Sequence, residues 1–210
     1  MTYDKTDPQP KPSARSRVLD AAESLLAQGS AAFSMRELAD EAGVSFATPF
    51  NQYGSKAAIM LALSARRIEL MHERLAGAAL PETAFARVLL AADVAVSVML
   101  TAPAVNRTVM GAIGAPSDAP GDVLSRSSAL WAEALGAGNG LATNTLILAL
   151  AVLPDQLAVA FRGVLSFWTA GELSDQSLAR RARTAAATVL LGFVRRDDRT
   201  EICRILSSDA

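Results

Sequence analysis

Between residues 34 and 56 the chain reads SMRELADEAGVSFATPFNQYGSK, with serines at 34, 45 and 55 and glycines at 43 and 54. A serine hydroxyl accepts one of the amide N–H groups left over at a helix start, so serine is a preferred N-cap. Glycine reaches the left-handed backbone in which helices commonly end. Alternating at this spacing, the two residue types leave room only for helices of about two turns. Helices so short are marginal in water, so the segment must fold as a cluster whose members hold one another. Ser34 followed by Glu37 is a capping box, and Gly43 permits a tight reversal into a third helix capped by Ser45.

The flanks complete the cluster. Ser13 caps a first helix whose apolar residues Val18, Leu19, Ala22, Leu25 and Leu26 recur at helical spacing, and Gly29 stands at its exit. Met35, Leu38, Ala39 and Ala42 form the inner face of the second helix, with Val44 plugging back into the core. Gly54 ends the third helix, and Ser55 caps a long fourth one facing inward through Ile59, Met60 and Leu63. Beyond it the periodicity predicts helices near 82–100, 103–113, 121–136, 142–170 and 175–196, and a short one near 200–206. Pro81, Pro103 and Pro120 sit near helix starts, whereas Pro154 is expected to kink or divide the longest run. Segments 114–121 and 136–140 read as loops, and no strand-like alternation of useful length occurs. The expected fold is all-α: a disordered arm over 1–12, a three-helix domain over 13–56 and a larger helical domain over 57–210.

Two short helices joined by a glycine turn form a helix-turn-helix, whose second helix presents its N-terminal end and one exposed face to base edges. In SFATPFNQ the polar side chains of Ser45, Thr48, Asn51 and Gln52 suit that task. Arg36 and Lys56 add charge near helix starts, and Ser34 tops a helix N-terminus that attracts phosphate. Arg15 and Arg17 are further phosphate candidates. Pro49 is tolerable so close to the helix start, and its ring is expected on the surface, against a thymine methyl. The net charge is −1, so contact with nucleic acid must come from such local groups.

The same residues resemble the N-terminal DNA-binding domain of the TetR family of transcriptional regulators. Leu38, Ala39, Ala42, Gly43, Val44, Ser45, Thr48, Ser55 and Lys56 match that family's pattern without a gap, and Ser34 replaces a threonine cap. Phe50 stands at the family's usual tyrosine, Gln52 at its histidine, Tyr53 at a buried phenylalanine and Ala47 at a glycine. The resemblance implies DNA contact along the third helix, including Phe46, Ala47, Phe50 and Tyr53. It also implies a helical ligand-binding and dimerisation domain after it. The interface expected with a second copy uses Leu157, Val164, Leu165 and Trp168 together with Leu178, Ala182, Ala185, Ala186, Val189 and Phe193. A stripe of this kind also serves as intramolecular core. The expected pocket for an apolar effector is walled by Met99, Met110, Trp131 and Phe161, with Ser97 or Asn106 as polar anchor.

Catalytic chemistry finds little support. His72, the one histidine, neighbours only Glu69 and Glu73, too few ligands for a metal site, and no Ser-His-Asp triad can be assembled from ordinary spacing. GAGNG at 136–140 lacks the lysine of a phosphate loop. No cofactor or metal is expected. Cys203 stands alone, consistent with a reducing compartment, and reads as inert. The N-terminus has no secretory h-region, and the apolar run 141–153 is too short to span a bilayer before Pro154. The expectation is a cytoplasmic, homodimeric repressor of a palindromic double-stranded operator, answering to a small molecule, with no membrane partner and no enzymatic activity. The alternative is an interaction protein that keeps the fold but binds DNA weakly or not at all.

Overall fold

The computed structural model describes residues 13–115 and 121–207; the expected arm over 1–12, Pro120 and most of the 114–121 loop lie outside the described residues. The chain divides into two compact units between Ile59 and Met60. Every element among the described residues is helical, save one isolated bridge between Leu141 and Val194.

The amino-terminal unit holds α1 (Ala14–Ala27), α2 (Met35–Glu41) and α3 (Ala47–Tyr53), and α4 (Lys56–Ala76) starts within it. The expected caps of α1 and α2 form. Ser13 Oγ accepts from the Ser16 amide, Ser34 Oγ from the Glu37 amide, and the Ser34 amide donates to Glu37 Oε2 at 2.6 Å. Gly29, Gly43 and Gly54 all take positive φ, at 82°, 60° and 77°. Val18, Ala22, Leu38 and Ile59 are fully buried, joined by Phe33, which periodicity did not single out.

The start of α3 differs from expectation. Phe46 in helical conformation, not Ser45, is its N-cap, and no side chain caps it. Pro49 has no N–H to give the Ser45 carbonyl, so that carbonyl takes the Thr48 amide at 2.9 Å and the first turn tightens. The Ser45 hydroxyl is then left to meet Thr48 Oγ1 at 2.8 Å.

The second unit is built from the rest of α4, α5 (Ala84–Met99), α6 (Pro103–Ala112), α7 (Val123–Leu135), α8 (Leu146–Thr169), α9 (Asp175–Leu190) and α10 (Arg196–Ser207). Its core is the packing of α8 against α7 and α9, with α5 against α7 and α9. Trp168 locks one end of it. Its indole N–H donates to Asp175 Oδ1 at 2.7 Å, and Arg107 Nη2 donates to the same oxygen at 2.6 Å. The Arg107 guanidinium lies 4.5 Å from the Trp168 ring. Arg183 on α9 reaches Asp93 on α5 at 2.6 Å.

Two expectations fail in this unit. Pro154 does not divide the longest run: α8 continues through it for 24 residues. A proline in a helix interior costs about 3 kcal/mol, but Ala149, Leu153 and Leu157 are buried on either side of it, and that burial offsets the cost of continuing the helix. With no break at 154, the length argument against a membrane span lapses, since Thr143–Thr169 is apolar and long enough by itself. Helix α9 ends at Leu190, so Phe193 lies beyond it, in a turn. There its carbonyl accepts from the Ala142 amide at 2.7 Å, and the Arg195 amide donates to Gly140 O at 3.0 Å. Backbone pairing with the 140–142 segment has replaced the last helical turn.

Candidate nucleic-acid interface and cavity

Helix α3 turns Pro49 and Tyr53 inward and leaves four of its other five residues exposed, with Thr48 half-buried. Pro49 is buried and Tyr53 half-buried, one turn apart on the inner face, while Ala47, Asn51 and Gln52 are exposed. The expected contact between the Pro49 ring and a base is therefore ruled out: the ring is core, where its rigidity seats the helix. Tyr53 is tied down by its hydroxyl, which donates to Arg15 O at 2.9 Å, and by the Arg15 guanidinium 4.5 Å from its ring. Arg15 Nη1 also donates to Gln52 O at 3.1 Å, closing the end of α3.

Lys56, assigned to phosphate by the sequence, turns inward as well. Its Nζ donates to the carbonyls of Ala31 and Phe33 at 2.6 and 3.1 Å and sits 4.2 Å from the Phe33 ring. Partial burial lowers its pKa, and the nearby Glu37 carboxylate works in the opposite direction. Ser34 likewise uses both hydroxyl and amide within the capping box, so those groups serve α2 first. Among the expected contacts, Arg36, Ser45, Phe46, Ala47, Phe50, Asn51 and Gln52 remain exposed, and Thr48 is half-buried. Phe46 and Phe50 are 53% and 43% exposed and stack edge to face at 5.6 Å, with Arg36 5.4 Å from the Phe46 ring. The outer face of α3 thus combines two amide side chains with an aromatic pair.

The second unit contains a cavity of about 330 Å³ between α4, α5, α6, α7 and α8, within the range of small-molecule sites. Met99, Asn106, Met110 and Phe161 line it as expected. Ser97 does not: it is exposed, donates to Val94 O and accepts from Arg74. Trp131 stands behind the wall, 1% exposed and edge to face with Phe161 at 5.7 Å. Leu165, expected at an interface, belongs to the lining. Sequence reasoning missed Arg67 on α4 and Arg162 on α8, both lining the cavity; a lone arginine amid the apolar run of α8 was the available signal.

The expected interface stripe is largely consumed within one chain. Leu157, Leu165, Trp168, Leu178, Ala182 and Ala186 are buried, while Val164, Ala185, Val189 and Phe193 are half-buried. The small residues of α9 admit close approach of α5 and α8, and that packing covers them. The apolar residues left open on α8 are Ile147, Leu148, Val159 and Phe167, Ile147 at 88%. His72 Nδ1 meets Glu133 Oε2 of α7 at 2.5 Å instead of its helix neighbours. Among the described residues no cluster of three His, Cys, Asp or Glu side chains can hold a metal ion.

These features define an all-helical protein with a helix-turn-helix: a firmly seated α3 in one unit and a helical domain with a cavity in the other. The model for bacterial regulatory proteins of the tetR family matches residues 18–63, so the amino-terminal unit is of TetR type and the chain carries the TetR regulator fold. A TetR transcriptional regulator from Rhodococcus sp. RHA1 superposes with a TM-score of 0.68 at 23% identity, over 84% of this chain and 96% of that one. A protein with unknown function from the same organism does so with a TM-score of 0.56 at 25% identity, over 90% and 100%. No curated protein matches the chain.

Proposed function

We propose that the chain is a cytoplasmic transcriptional repressor that binds a palindromic operator as a homodimer and lets go when a small, largely apolar molecule enters the cavity. The outer face of α3 carries this reading: Asn51 and Gln52 are exposed on a helix whose opposite side is anchored by Pro49 and Tyr53. Amide side chains read adenine in the major groove, and Phe46 and Phe50 suit thymine methyls. The uncovered apolar residues of α8 favour a second copy as their cover, which sets two reading helices to successive grooves about 34 Å apart. An effector acts by favouring a state in which that spacing no longer fits.

The test uses a duplex selected from a random library by the full chain. Replacing both Asn51 and Gln52 by alanine should weaken its retention at least tenfold, at about 1–3 kcal/mol per lost base contact. Unchanged retention overturns the reading. A second reading, an interaction protein with little DNA binding, is favoured by the exposed Phe46–Phe50 pair and the inward turn of Lys56. Retention on nonspecific DNA that ignores salt selects it, since phosphate contacts weaken steeply as salt rises.

A further inference from the structure

We propose that the cavity of the second unit takes an anionic amphiphile, an apolar chain ending in a carboxylate or like acid, with the acid held by Arg162. This rests on the reading above that the cavity is the effector site, and it names the effector's chemical class.

Most of the lining is apolar, including Ile68, Met71, Val109 and Leu130, so it accepts a hydrocarbon chain. Asn106, fully buried, is already committed. Its amide donates to Val98 O and Met99 O, and its oxygen accepts from Arg67 Nε at 2.8 Å. Arg162 is in a different condition. Its Nη1 donates to Met110 Sδ at 3.6 Å and its Nη2 to Met110 O at 3.5 Å, the first a weak thioether acceptor and the second at the outer limit of distance, and both neutral. Among the described residues no carboxylate pairs with it. Burial lowers its pKa, the sign of a charge desolvated with only neutral acceptors beside it.

Arg162 also lines an adjoining, more polar pocket of about 310 Å³ with Gly111, Gly114, Ser166 and Thr169. There Thr169 Oγ1 is buried and has no hydrogen-bond partner among the described residues. A guanidinium at the seam between an apolar cavity and a polar one, beside an idle hydroxyl, matches a ligand with one greasy and one acidic end. An uncharged ligand of the same length leaves the guanidinium as it is, whereas a carboxylate gives it a charge-assisted, bidentate partner.

Calorimetric titration of the full chain with decanoate and with decanol tests this. Decanoate should bind about tenfold or more tighter than decanol, the margin of a charge-assisted hydrogen bond. Arg162→Met should erase that margin, and Arg162→Lys should keep part of it. Decanol binding as well as decanoate in the unaltered protein overturns the proposal, as does a margin that survives Arg162→Met, or no binding of either. The comparison in the unaltered protein decides even if a variant folds poorly. Release of the selected duplex is followed alongside. If decanol binds equally and releases DNA, the anion is wrong and the effector site stands. If decanoate binds through Arg162 without touching DNA retention, the anion stands and the effector role falls.

Discussion

The amino-terminal unit rests on helices of 7 residues, α2 and α3, whereas α8 alone runs 24 residues in the other unit. In the first, each boundary has a nearby cause: Ser34 and Glu37 close on each other, and glycines of positive φ stand at 29, 43 and 54. In the second, boundaries yield to packing: a helix ignores Pro154, and another stops short because its next residues pair with the 140–142 backbone. Local chemistry governs where short elements cannot supply much burial, and burial governs where it is plentiful.

The largest expected effect lies in the second unit. Trp168→Ala removes a fully buried indole together with its bond to Asp175 and its stacking on Arg107, and should destabilise this unit by about 3–5 kcal/mol. Urea unfolding followed by the fluorescence of Trp131, which lies in the same unit, reads it. Amide exchange in α1–α3 should stay as it was; equal loss in both places would erase the contrast between the units.

In the amino-terminal unit Gly43→Ala should cost about 1–2 kcal/mol. No atom lies within 4 Å of the added methyl, so the whole effect is the strain of a positive φ. Faster amide exchange in α2 and α3, with unchanged tryptophan fluorescence, is the expected result, and Gly43→Asn should recover part of the loss. Ser34→Ala follows at about 1 kcal/mol by the same exchange measurement.

The smallest effect is one of pH. The Ser34 amide, then the Ser34 hydroxyl, hold the Glu37 pKa below its ordinary value, with Lys56 adding a little. A carboxylate lowered on folding stabilises above its unfolded pKa and loses that contribution as pH falls through the folded one. The stability margin of the unaltered chain over Glu37→Gln should therefore be present at neutral pH and shrink as pH falls below the ordinary glutamate range. A margin independent of pH would mean that hydrogen-bond geometry alone, without the charge, holds the box.

The site was legible in unequal parts. The third helix and its exposed Asn51 and Gln52 follow from serines and glycines a few residues away, although its start lies one residue past the expected Ser45 cap. That Pro49, Tyr53 and Lys56 turn inward depended on α1 and on Phe33, which arrive from elsewhere in the chain. In the cavity, Met99, Asn106, Met110 and Phe161 were found as apolar or amide residues on helix faces, but periodicity marks a face as inner without saying what it meets. Ser97, Trp131 and Leu165 were misassigned for that reason, and nothing in the local sequence separates a cavity-lining Arg162 from a solvated charge.

What the sequence determined by itself is the all-helical class and the helix-turn-helix with its start and stop signals, since capping bonds and left-handed glycines act within four or five residues. Only the tertiary structure decided which side chains are spent on internal contacts and which are left to act, and whether Pro154 breaks its helix. Those outcomes turn on contacts between residues dozens of positions apart, and on burial that offsets a locally unfavourable choice.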